Sequence, residues 1–213
     1  MAWERLSPKE RISLNLTTVT VSGVDDKINI VDMLELSRRY PFVEWAILLS
    51  PKRINSPRYP SLTWMCEVIK HKRDLRLAVH ICGEWMRRIV RDGEWFWETE
   101  PVMLPIWRGA RRVQINLLRE EKISMKAMLE LKEKSANIPG DNDLGNKKFI
   151  LQVDGPGNWI LQKTLDYGIS AFPLFDKSGG NGKLPEMWPI SLKNTTSGYA
   201  GGLTHQKMLL SKL

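Results

Sequence analysis

Two cysteines and three histidines are scattered through 213 residues, too few of either for a disulfide framework, a four-cysteine zinc site or a catalytic metal cluster. A reducing compartment fits that usage. Long hydrophobic runs are equally scarce: no stretch reaches the roughly 18 uncharged apolar residues that a membrane helix needs. The opening Met1-Ala2-Trp3-Glu4-Arg5-Leu6 has no apolar core of a secretory leader either. These absences predict a cytoplasmic protein without a membrane partner, and nothing in the sequence calls for a metal or an organic cofactor.

What is present suffices for one core. Hydrophobic residues make up 42% and charged residues 26%, which predicts a single domain over residues 1–213. Lys and Arg total 32 against 24 Asp and Glu, a net charge of +8 that favours anionic partners. Basic clusters occur at residues 70–73 and 108–112, but apolar runs separate them and no nucleic-acid reader motif accompanies them. They read as solvated helix faces, and nucleic acid is disfavoured as a partner.

Short apolar and β-branched runs recur at residues 17–22, 45–50, 75–82, 112–117, 149–154 and 169–176, with a weaker one at 198–200. Helical spacing lies between them, as at Val31, Leu34 and Arg38, which flank an apolar stripe. Such alternation predicts a parallel sheet covered by helices. Residues 94–111, rich in Trp and Pro, read as an aromatic helix end or loop packed on the body. Residues 132–148 read as a turn-rich connection, and those before Leu14 as a short arm or a helix able to cover the barrel bottom.

The period of two within the runs separates two faces. Val19 and Val21 oppose Thr18, Thr20 and Ser22; Val79 and Ile81 oppose Ala78, His80 and Cys82. Val113 and Ile115 oppose Arg112, Gln114 and Asn116; Leu151 and Val153 oppose Gln152 and Asp154; Phe172, Leu174 and Asp176 share a face. Burying these polar groups without partners would cost several kcal/mol. The polar face therefore lines a wet or ligand-filled mouth, with Gln114, Asn116 and Asp154 among its candidate ligand contacts.

Two glycine-rich bends follow the late runs. Asp176 is delivered to the end of an apolar run and followed by Lys177-Ser178-Gly179-Gly180-Asn181-Gly182-Lys183, where backbone amides and ammonium groups can approach an anion. The alternative is a flexible connection after a turn aspartate. Ala200-Gly201-Gly202-Leu203-Thr204 forms the second bend, with Thr204 able to cap a following helix whose amides would face a phosphate.

The order Val113-Gln114-Ile115-Asn116, Leu174-Phe175-Asp176 with its Ser178 to Lys183 loop, Trp188, then Ala200-Gly201-Gly202-Leu203 resembles phosphoribosylanthranilate isomerase, a (βα)8 barrel family of tryptophan biosynthesis. Residues 50–53 and 58–61 also resemble its segment after the second strand. The resemblance implies an α/β, TIM-barrel-like fold, here incomplete at about seven βα units, since ten residues follow Leu203. It implies an Amadori-type aldose–ketose isomerisation of a phosphoribosyl amine, with Asp176 as general acid, the two bends on phosphate and Arg58 on a carboxylate.

Two departures follow. The family's strand-one cysteine, its general base, is replaced by Ser22, whose hydroxyl supplies almost no anion at neutral pH. His80-Ile81-Cys82-Gly83 resembles that cysteine motif on the third run, which makes Cys82 the second candidate for the base. Either the missing eighth unit leaves an open seam between first and seventh strands, or a terminal segment, another copy of the chain or a truncated ending accounts for it. A catalytically silent relative is the alternative, such as a virus-encoded protein that sequesters a nucleotide or ribose-phosphate signal.

Overall fold

A computed structural model describes residues 18–116 and 148–201, apart from 156, 170, 179–181, 188 and 191–195, together with 124, 126, 127, 129, 130 and 133. The expectations for the N-terminal arm, Trp188, Gly179, Gly180, Gly202 and Thr204, and for nearly all of the turn-rich connection, lie outside the described residues.

Seven strands pair in parallel and in chain order: β1 Val19–Ser22, β2 Val43–Leu49, β3 Leu77–Ile81, β4 Arg112–Asn116, β5 Lys148–Val153, β6 Ala171–Phe175 and β7 Gly198–Tyr199. Strictly sequential order sends each crossover the same way around, and the sheet curls into a half-barrel with helices between its strands. Among the described residues β1 and β7 do not pair, and no eighth strand is present. The helices among the described residues include α1 Ile30–Arg39, α2 Leu62–Lys70, α3 Gly83–Asp92, α4 Phe96–Thr99, α5 Leu104–Gly109 and α6 Trp159–Asp166. None of them is long and apolar enough to cross a membrane.

One face of the strands meets the helices. Ile47, Leu49, Val79, Ile81, Val113, Ile115, Leu151 and Val153 share a core with Trp64, Met65 and Val68 of α2 and Trp85, Ile89 and Val90 of α3. Each such side chain contributes about 1.5–3 kcal/mol on leaving water. The aromatic stretch becomes α4, a 3-10 turn at Pro101–Met103, and α5. Its buried Trp95 ring lies 5.0 Å from that of Trp107 and 6.1 Å from that of Phe149. Gly109 seats α5 flush on α2, since a Cβ there would stand 2.1 Å from Ile69 Cδ1.

Helix α1 is rotated from the stripe expected of it. Val31 is 66% exposed, whereas Met33 and Ser37 are buried. The Trp45 indole on β2 donates to Ser37 Oγ at 2.8 Å, and its need for an acceptor turns the serine side of α1 inward.

The other strand face carries alternating small and polar residues. Ala46 pairs in register with Ser22 on one side and Ala78 on the other, and Ala78 with Arg112. Over these small side chains, long ones reach strands two places away. Arg112 of β4 donates to both carboxylate oxygens of Glu44 on β2, at 2.7 and 2.5 Å, and Thr20 Oγ1 donates to the same carboxylate at 2.9 Å. Arg112 therefore leaves the solvated cluster expected at 108–112, because Glu44, 1% exposed, has to be matched by a cation. Lys70, by contrast, lies exposed and paired with Glu67.

Candidate functional site

Because all seven strands are parallel, their C-terminal ends lie along one edge of the curled sheet, the mouth of the half-barrel. On its β1–β3 side, two loops are laced together by carboxylates. Asp25 accepts from the Lys27 and Arg58 amides at 3.1 and 2.8 Å, and Asp26 accepts from the Ser61 amide at 2.8 Å and from its hydroxyl. The amide bond from Arg58 holds the Asp25 carboxyl below its ordinary range, with the Lys27 amide and charge adding to it. These ties hold Arg58 at φ +69°, a left-handed conformation that costs a non-glycine residue about 1–2 kcal/mol. Its side chain lies across the end of β1, where a Cβ on Gly23 would stand 2.7 Å from Arg58 Nε. Arg53 sits 4.7 Å over the Tyr59 ring beside it.

The sequence-predicted base candidates lie on this side. Burial pushes the Cys82 thiol above its ordinary value, against hydrogen bonding with Tyr59 and the charges of Arg58 and Arg53, which pull it down. Ser22 is exposed at the end of β1, and its Oγ lies 3.2 Å from His80 Nδ1 on β3. His80 is 7% exposed; burial first, then Arg112 and Arg58, lower its pKa to about 3, so the imidazole is neutral. Its Nε2 is buried with no hydrogen-bond partner among the described residues.

On the β5–β7 side, Asp176 is 3% exposed at the end of β6. Gln152 Nε2 donates to its Oδ2 at 2.8 Å, and the Ser178 amide and hydroxyl donate to its Oδ1 at 2.9 and 2.6 Å. Gln114 in turn donates to Gln152 Oε1 at 2.8 Å. The two bends meet at Gly201, with φ +108°; a Cβ there would lie 2.9 Å from the Lys183 carbonyl, 3.0 Å from Asp176 Oδ1 and 3.4 Å from Ser178 Oγ. Only glycine fits that approach. The Ala200 amide completes it, donating to the Phe175 carbonyl at 3.0 Å.

The predicted residues therefore fall into two groups. Asp176, Ser178, the Lys183 backbone, Ala200, Gly201 and Gln114, the last through Gln152, come together on one side. Ser22, Arg58 and Cys82 gather on the other. Gly182 and Lys183 are exposed on the loop, and a Cβ on Gly182 would meet no atom within 4 Å. Asn116 pairs in register with Gln152, and Asp154 is exposed beyond β5, accepting from Asn158 Nδ2 at 3.2 Å. Gln152 is a site residue that the sequence marks only by its place on the same face as Gln114 and Asp154. No protein-family model, curated protein or solved structure matches the chain.

Proposed function

We propose that the half-barrel mouth binds an anionic, phosphorylated small molecule of the ribose-phosphate or nucleotide class, without turnover. The observation that carries this reading is the meeting of the β6 and β7 bends at Gly201, beside Asp176 and Ser178. Close backbone approach there, with Lys177 and Lys183 in the same loop, suits an oxyanion, while Asp176 acts as the acceptor that fixes the loop's first turn. Arg58 and Arg53 give the opposite side of the mouth a matching positive field.

Binding is favoured over isomerisation because proton transfer at carbon needs a base matched to neutral pH. Cys82 is pushed up towards the thiol form, and His80 beside Ser22 holds its proton too weakly to accept one from a hydroxyl. Calorimetry of the full chain against ribose 5-phosphate, adenosine monophosphate and inorganic phosphate tests the reading. Binding weakened at least tenfold by Gly201→Val and by Lys183→Glu is expected. Absence of binding to all three by folded protein overturns it. Conversion of a phosphoribosyl amine that disappears in Asp176→Asn would establish the isomerase in its place.

A further inference from the structure

We infer that His80 makes Ser22 a fixed hydrogen-bond donor to an oxyanion at the end of β1, beside the Arg58 guanidinium. This deepens the mouth reading and rests on it, by assigning a second anionic group of the ligand to the β1 side. The imidazole is neutral, so it carries a single N–H. Placed on Nε2, that proton would sit on a buried nitrogen without an acceptor among the described residues. Placed on Nδ1, it is donated to Ser22 Oγ at 3.2 Å. A buried donor left unmade is rarer and costlier than a bare acceptor lone pair, so Nδ1 carries the proton.

The consequence falls on Ser22. With its oxygen already accepting from His80, the hydroxyl is left with its own proton to give, and Ser22 is exposed at the mouth. On β2, Ala46 is in register with Ser22 and Leu48 with His80, so the contact crosses β2 diagonally, past the small Ala46. Next along the chain, Gly23 takes φ +80° and leaves room for Arg58, whose position Asp25 fixes from behind. A hydroxyl donor and a guanidinium converging on one strand end select a carboxylate or phosphate oxygen. A nucleophilic serine would need the opposite tautomer, with the imidazole taking the hydroxyl proton, so the same geometry that builds the donor removes Ser22 from covalent chemistry.

Long-range 15N–1H spectra of the full chain with 15N-labelled histidine read the tautomer directly: His80 is expected to show a protonated Nδ1 and a bare Nε2, and the reverse overturns the inference. Calorimetry then uses ribose 5-phosphate, inorganic phosphate and benzoate as probes. Ser22→Ala, at an exposed position that leaves the fold intact, should weaken the bound probe about tenfold. His80→Leu should do the same, and His80→Asn, whose amide N–H stands near the place of Nδ1–H, should restore affinity where His80→Gln does not. Ribose 5-phosphate held equally by wild type and Ser22→Ala, yet lost in Lys183→Glu, overturns this inference and leaves the mouth reading standing. Binding of benzoate alone, lost in Ser22→Ala, upholds the inference and overturns the phosphorylated ligand. Binding of none of the probes overturns both.

Discussion

Gln152 on β5 donates to Asp176 Oδ2 at 2.8 Å while its own carbonyl accepts from Gln114 on β4 at 2.8 Å. The three residues form a directed chain across neighbouring strands, and the direction is fixed at its end, because Asp176 acts there as an acceptor. A flipped Gln152 amide would set oxygen against oxygen at Asp176 and leave Gln114 facing a second donor. The chain thereby ties the orientation of the strand interior to the first turn of the β6 loop.

Replacing Gln152 by Leu should therefore cost more than one ordinary hydrogen bond, because it removes a donor from a carboxylate that is only 3% exposed. A loss of about 2 kcal/mol in urea unfolding is expected. Gln152→Glu, which sets two acidic groups face to face, should lose more, and an unchanged midpoint for either variant would contradict the directed chain.

The Arg112–Glu44 pair gives a second test, and one in which the single and double variants differ in kind. Arg112→Met leaves Glu44 buried at 1% exposure without its cation, and a loss of about 3–5 kcal/mol is expected. Adding Glu44→Leu removes the stranded charge and should recover most of that loss. A double variant no more stable than the single one would show that the pair does not act as a unit.

The strands were legible because residues alternate between a helix-facing apolar side and a polar side, and each of the seven runs read from the sequence overlaps one of the seven strands. The polar face was legible for the same reason. What the residues could not reveal were contacts that skip a strand: Ser22 with His80 across β2, and Glu44 with Arg112 across β3. Both depend on curvature and on Ala46 or Ala78 lying between. Arg112 also sits among arginines that are otherwise surface residues, which disguised it. The facing of α1 was misread because Ser37, polar by composition, is turned inward by an indole donor on another element. Gly201 was readable as a glycine, but its closeness to Lys183 required the β6–β7 pairing.

Arg58 separates stability from recognition. Its left-handed backbone is a conformation that glycine adopts freely. Arg58→Gly should therefore unfold at the same or slightly higher temperature, by up to about 1 kcal/mol in stability, while binding an anionic probe at least tenfold more weakly through loss of the guanidinium. Arg58→Ala loses the guanidinium and keeps the strained backbone, so it should bind as poorly and gain no stability. Equal affinity for wild type and Arg58→Gly would remove Arg58 from the mouth's recognition surface.

The buried imidazole sets a pH dependence whose sign can be worked out. His80 has a folded pKa lowered to about 3, by burial first and then by Arg112 and Arg58; in the unfolded chain it returns towards the ordinary value near 6.5. Below that value the unfolded state binds a proton that the folded state refuses, so stability is present in full above about pH 7 and is lost progressively as pH falls from 6.5 towards 3. The shift corresponds to a loss of about 2 kcal/mol between about pH 7 and pH 5. Asp25, depressed by its amide donors, acts in the same direction but only near and below the ordinary carboxylate range, so the interval from about pH 7 to 5 isolates the histidine. Urea unfolding at several pH values should show that slope in wild type and lose it in His80→Gln, which cannot titrate. A slope retained in the variant would assign it elsewhere and place His80 in contact with water.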